Sequence, residues 1–316
     1  TALGSESAAE TQGGNTASSQ TVTENDRRRT QAAPRSRTPF SATPVRNRGP
    51  LFRGNPIFDR EVLMRLSIRR LNKANRIVGS VVLGLVLPAF HLLFLWIARE
   101  SMQPKDVRTV ALVLETFLVS VLASSLTSSV FSSEREKQTW NALLLSRLSP
   151  AQIVVGKFAG GVIPTLLTLA ALWPLNLMLA AQGRLPLTNQ IAELACLIAT
   201  VLLSGAIGLF WSWANRRTQA AQVFTAGSVL FLMLGSIIAN SLYSAMADNA
   251  YGPMMSFVPH WFNPLTVLIS VAADPVGGSW NSVAVPVFLV FSTVATALLT
   301  AIPILRLGEG PKELEH

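Results

Sequence analysis

From residue 77 onward the chain alternates between long runs with almost no charge and short polar breaks. Six apolar stretches stand out, at 77–98, 109–131, 154–181, 190–214, 221–247 and 283–305. Each is near the ~20 residues a helix needs to cross the hydrocarbon core of a bilayer. Pro88, Pro164, Pro174, Pro286 and Pro303 fall inside them. Membrane helices tolerate this, because neighbours and local adjustment re-satisfy the freed backbone groups. The pattern predicts an all-α integral membrane protein with six transmembrane helices over 77–305.

Three shorter patterns flank these runs. Asn55-Pro56 reads as an N-cap followed by proline at the first helical position. Beyond it Arg65, Arg69, Lys73 and Arg76 share one helical face, with Met64, Ile68 and Leu71 on another and Val62 and Leu66 blurring the boundary. This predicts an amphipathic interfacial helix over 55–76, lying on the membrane surface or extending the first span into the cytoplasm. Within the connection 248–282, "WFNPLTVLISVAA" (261–273) predicts a short helix re-entering the outer leaflet before the last span. Over 134–148, Trp140, Leu143, Leu144 and Leu148 form an apolar stripe, while Glu134, Lys137, Gln138 and Asn141 face away. Ser149, Pro150 and Gln152 then supply the N-cap, first and third positions of a capping box, so the chain turns sharply into the third span. On the residues alone this segment is either a structural elbow or a docking element; both readings stand.

Composition sharpens the picture. Half the residues are hydrophobic and 14% are charged, against about 25% in a soluble domain. The net charge of +9 is local, since 14 of the 26 Lys and Arg residues precede residue 77. Basic residues beside a first apolar run anchor to anionic lipid on the cytoplasmic side, and nucleic acid is not the expected partner. Residues 1–54 form a basic extension rich in Ser, Thr, Ala, Gly and Pro, which predicts disorder. Arg27-Arg28-Arg29 is not followed by the apolar core of an export signal. Residues 306–316 form a cytoplasmic tail in which Leu314-Glu315-His316 resembles the start of a histidine tag. Arg216 and Arg217 lie between spans four and five, and 248–282 holds no Lys or Arg. Both termini and 132–153 are therefore expected on the cytoplasmic side of the inner or plasma membrane.

Polar residues within spans are candidate functional sites. His91 and Glu115 lie on consecutive spans, each ~10 Å below the outer surface at 1.5 Å per residue. They are a candidate intramembrane pair, or each faces a cavity or subunit interface separately. Glu193 is expected in solvent at the start of span four, His260 in the outer loop, and Cys196 as a small buried apolar group. No catalytic residue or metal site is specified, and there is no H-E-x-x-H.

Glu134-Arg135-Glu136-Lys137, then Thr139, Leu143-Leu144, Leu148-Ser149-Pro150 and Gly156-Lys157, closely resemble the signature of type 2 ATP-binding-cassette (ABC) transporter permeases. There the pattern runs Glu-Arg-Glu-x-Gly-Thr, leucines, Pro-Leu-Ser-Pro and Gly-Lys, between the second and third of six spans. The likeness of layout covers about 55–305 and is specific near 134–157. Gln138 stands where the family usually has Gly, Asn141 where an acidic residue is frequent, and Arg147 where Pro is common. Losing the Gly and the Pro predicts a more continuous helix over 134–148.

The resemblance implies that 132–153 is the coupling segment, with Glu134, Arg135, Glu136, Lys137, Thr139, Trp140, Leu143 and Leu144 meeting an ATPase. It implies a transport subunit, an exporter, that is not itself an enzyme. ATP and Mg are expected on partner ABC ATPase subunits, and no cofactor in this chain, which has no G-x-x-x-x-G-K-[ST] phosphate loop. A second copy of itself or a related permease, membrane lipids and a transported substrate of unknown identity complete the expected partners. A membrane scaffold that recruits a soluble ATPase without moving substrate is the competing reading.

Overall fold

The computed structural model describes Ile57, Leu93, Trp96 and residues 104–146, 148–182, 186–246, 258–273 and 281–308. The helices are α1 (Pro104–Ser128), α2 (Ser132–Glu136), α3 (Trp140–Leu144), α4 (Pro150–Gln182), α5 (Leu187–Ala214) and α6 (Thr218–Met246). A 3-10 turn (Val258–Phe262), α7 (Pro264–Ala273) and α8 (Asn281–Gly308) follow. Among the described residues there is no strand. Five helices there, α1, α4, α5, α6 and α8, are long and apolar enough to cross a membrane, and they fall on five of the six apolar stretches. The remaining stretch, 77–98, and the interfacial helix over 55–76 lie outside the described residues, apart from Ile57, Leu93 and Trp96, which are helical.

These helices carry many buried hydroxyls, and most are satisfied within their own helix. Thr116, Thr127, Thr165, Thr168, Thr200 and Thr225 each donate to the carbonyl four residues back. A hydroxyl bonded in this way costs little inside an apolar helix. Small residues let α1, α4 and α5 approach closely around Thr127. A Cβ added at Gly161 would overlap the Thr127 methyl group, and one at Gly208 would overlap Thr127 Oγ1 and the Ser124 carbonyl. Close backbone approach of this kind is how spans pack without a hydrophobic driving force between them.

The main core joins Leu112 and Val119 of α1, Val162 and Leu169 of α4, and Leu197 and Val201 of α5 to α7 and Phe288 of α8. At ten residues, α7 spans only ~15 Å, about half the hydrocarbon thickness. Its two ends are pinned by side chains. At the start, Asn263 Oδ1 accepts the Leu265 N–H (2.8 Å), an N-cap with Pro264 at the first position. The Asn263 amide then donates to Met233 O (2.6 Å) and Ser236 Oγ (2.8 Å) of α6. At the other end Asn189 Nδ2 donates to Val271 O (3.1 Å) and Arg108 Nη1 to Ala272 O (3.4 Å), which serves carbonyls that a helix terminus leaves orphaned.

The expectation for Glu193 is corrected here. Glu193 is not in solvent: it is buried and ion-paired with Arg108 of α1. The α1–α5 contact encloses both, so the carboxylate exchanges water for a guanidinium. His260 is likewise buried, its Nδ1 3.1 Å from Ser236 Oγ, and burial lowers its pKa from the usual imidazole value.

The expected continuous helix over 134–148 is also overturned. The segment is two short helices, and Gln138 between them has φ +57°. The break is a complete Schellman turn. Thr139 N–H donates to Glu134 O (3.0 Å) and Gln138 N–H to Arg135 O (3.1 Å), with the left-handed residue just past the helix end. Side chains on both sides of the turn are tied to the spans, Arg135 and Glu136 before it and Trp140 after it.

Candidate functional site

The elbow formed by α2 and α3 sits over the ends of α4, α5 and α8. Trp140 is buried with Phe131, Ile153, Val154 and Leu209, and Leu143, Leu144, Leu148, Ile304 and Leu307 pack around them. Phe131 meets Trp140 edge-on at 5.9 Å between ring centroids, a favoured aromatic geometry. The apolar stripe of the elbow is therefore the lid of a small second core.

Half of the charged run above this core is turned inward: Glu134 and Arg135 are half-buried, while Glu136 and Lys137 are exposed. The first residue of α2 lacks a cap from its own chain neighbour. Instead Ser212 Oγ of α5 accepts the N–H groups of Phe131 (2.8 Å) and Ser132 (3.2 Å), doing an N-cap's work from a distant helix. Lys157 of α4, only 2% exposed, donates to Glu134 Oε1 (3.2 Å) and Val130 O (3.4 Å). Thr139 Oγ1 donates to the other oxygen of Glu134. Glu134 was expected to face away from the protein; the buried ammonium of Lys157 draws it in.

Arg135 and Glu136 divide the poles of one turn between them. Arg135 Nη1 donates to Trp213 O (2.7 Å) and Asn215 O (3.3 Å) at the carboxyl end of α5. Glu136 accepts the Thr218 N–H on Oε1 and the Thr218 hydroxyl on Oε2, both at 2.7 Å, at the amino end of α6. A cation at a helix C-terminus and an anion at an N-terminus both complement the helix dipole. Arg135 also stacks its guanidinium 4.8 Å from the centre of the Trp140 ring, adding a cation–π contact.

At the base of the elbow, Ser149 and Gln152 cap α4 reciprocally. Ser149 N–H donates to Gln152 Oε1 (2.9 Å) and Gln152 N–H to Ser149 Oγ (3.3 Å), with Pro150 at the first helical position. What remains open to solvent on the elbow is Glu136, Lys137, Gln138, Thr139, Asn141, Ala142 and Leu145. Leu145 is 86% exposed.

Of the groups that seat this segment, Lys157 stood in the sequence only as part of the Gly156-Lys157 of the signature, and Ser212 and Thr218 were not singled out. Lys157 carried a signal, as a lone cation a few residues into an apolar run; Ser212 and Thr218 carried none. Glu115 does not belong to the elbow. It is buried in α1 and accepts a hydrogen bond from Asn176 Nδ2 of α4; His91 lies outside the described residues. Among the described residues no three His, Cys, Asp or Glu side chains gather as metal ligands would.

Long apolar helices, small-residue packing and a polar elbow define a multi-pass membrane protein. The sequence pattern of the family described as ABC-2 family transporter protein matches residues 4–307. The chain belongs to that family, whose members are transport membrane subunits that associate in general with ABC ATPases. Among curated proteins none matches its sequence.

Proposed function

We propose that this chain is the permease subunit of an ABC exporter and that α2 and α3 couple its spans to a separate ATPase, which binds ATP and Mg. Two copies, or one copy and a related permease, would form the path. The elbow, Arg217 and both termini lie on the cytoplasmic face of the inner or plasma membrane, opposite Leu187.

One observation carries the reading. The elbow is fastened to α4, α5 and α6 through Glu134, Arg135 and Glu136, yet it leaves Lys137, Gln138, Asn141, Ala142 and Leu145 open to solvent. A protrusion seated on three span ends transmits a push to all of them. An exposed leucine beside polar groups is the kind of anchor a partner's cleft buries.

The test compares wild type with Leu145→Asp, purified from the native host in detergent and reconstituted in liposomes. The expected result is loss of the co-purifying ATPase and of substrate-stimulated hydrolysis, with an unchanged permease melting temperature. Equal ATPase recovery from both proteins overturns the docking role. Orientation is checked with Arg217→Cys and Leu187→Cys in a Cys196→Ser background, which should label from opposite sides of the membrane; same-side labelling rejects it.

A further inference from the structure

Glu115 and Asn176 form a buried pair between α1 and α4, 1% and 5% exposed. Asn176 Nδ2 donates to Glu115 Oε2. Each side chain keeps one buried oxygen with no hydrogen-bond partner, Glu115 Oε1 and Asn176 Oδ1. Buried polar atoms are satisfied in nearly all cases, so two orphans in one pair call for a cause. An ionised carboxylate oxygen and an amide oxygen only accept. What the pair lacks is a donor hydrogen.

Among the described residues, the charged and titratable groups around it do not supply one. On α1, Asp106 is exposed and Arg108, seven residues or ~10 Å along the helix, is taken by Glu193 of α5 and Ala272 O. Cys196 of α5 is a buried thiol. On α4, Lys157 is ~28 Å along the helix from Asn176 and serves Glu134. Neither α7 nor the described side chains of α6 include Asp, Glu, Lys, Arg or His, and His260 before α7 faces Ser236.

We propose that Glu115 and Asn176 are a proton-binding site: Oε1 carries a proton, and the carboxyl and carboxamide pair as a neutral couple. A single proton settles both orphans, because Oε1 becomes a donor and Oδ1 is the acceptor it lacks. It also removes a carboxylate charge from an apolar interior, where an unpaired charge is costly. The couple is stable while α1 and α4 are in contact. Parting them admits water, and a carboxyl in water is ionised at neutral pH, so separation of these two spans releases a proton. This stands independently of the ATPase reading.

Infrared difference spectroscopy on the full chain in lipid nanodiscs at neutral pH tests it. Wild type minus Glu115→Gln should show the carbonyl stretch of a protonated carboxyl, moved by exchange into heavy water. In Asn176→Leu that band should shift to higher frequency, because the acid loses its partner. Glutamine reproduces both hydrogen bonds of the neutral couple, so Glu115→Gln should fold and melt at or above wild type, and Glu115→Ala below it. A difference spectrum holding only carboxylate stretches overturns the site; Glu115 is then ionised and held by a cation or by His91. So does a band that Asn176→Leu leaves unmoved, or a Glu115→Gln protein that fails to fold.

Discussion

Lys157, buried near the start of α4, reaches Glu134 on α2 across 3.2 Å and 23 positions of sequence. The ammonium also lies 5.8 Å from the Phe131 ring centre and 3.4 Å from Val130 O. The charge of the elbow is thus in part a fastening.

A neutral residue at Glu134 is therefore expected to damage the fold before it damages docking. Glu134→Gln takes from the buried ammonium of Lys157 the carboxylate it is paired with. Breaking a fully buried pair costs about 3–5 kcal/mol; with Glu134 a quarter exposed, about 2 kcal/mol is expected. Lys157→Met with Glu134→Gln should recover most of it. Melting of the three purified proteins checks this, and equal losses for single and double variants reject the pairing.

Gln138 gives a prediction of opposite sign. An L-residue in the left-handed region carries about 1–2 kcal/mol of strain, which glycine does not. Gln138→Gly should stabilise the elbow by about 0.5–1 kcal/mol, and Gln138→Val should weaken it. Amide exchange at 137–145 reads the effect directly. Faster exchange in the glycine variant would show that the turn is not what limits the elbow.

The apolar runs and the start of α4 were legible because they are local. Hydropathy over ~20 residues marks a span, and Ser149, Pro150 and Gln152 cap a helix within one turn. The break at Gln138 was not legible, since local propensity favours one helix through 134–148. The turn is held by Arg135 on the end of α5 and Glu136 on the start of α6, about 80 positions away. Glu193 was misread for the same reason. A carboxylate at the edge of an apolar run looks solvated until the fold brings Arg108 beside it. The inward use of Glu134 depends on Lys157, whose place opposite the elbow no periodicity reveals.

The Arg108–Glu193 pair should be strongly non-additive. Arg108→Ala or Glu193→Leu alone leaves a buried charge and is expected to cost about 3–5 kcal/mol. Arg108→Met with Glu193→Leu should cost much less than the sum, by the logic of a double-mutant cycle. Because Arg108 also holds Ala272 O at the end of α7, the single change should expose α7 to proteolysis between Pro264 and Ala273. Additive losses with an intact α7 would show that the two residues act separately.

The divided seating of Arg135 and Glu136 also limits how the elbow can be exchanged between proteins. Residues 132–149 transplanted alone into another permease would bring Glu134, Arg135 and Glu136 without the groups that seat them. A working chimera would have to carry the α5–α6 corner from Ser212 to Thr218 and Lys157 as well. These pieces, scattered in sequence, would have to be moved together.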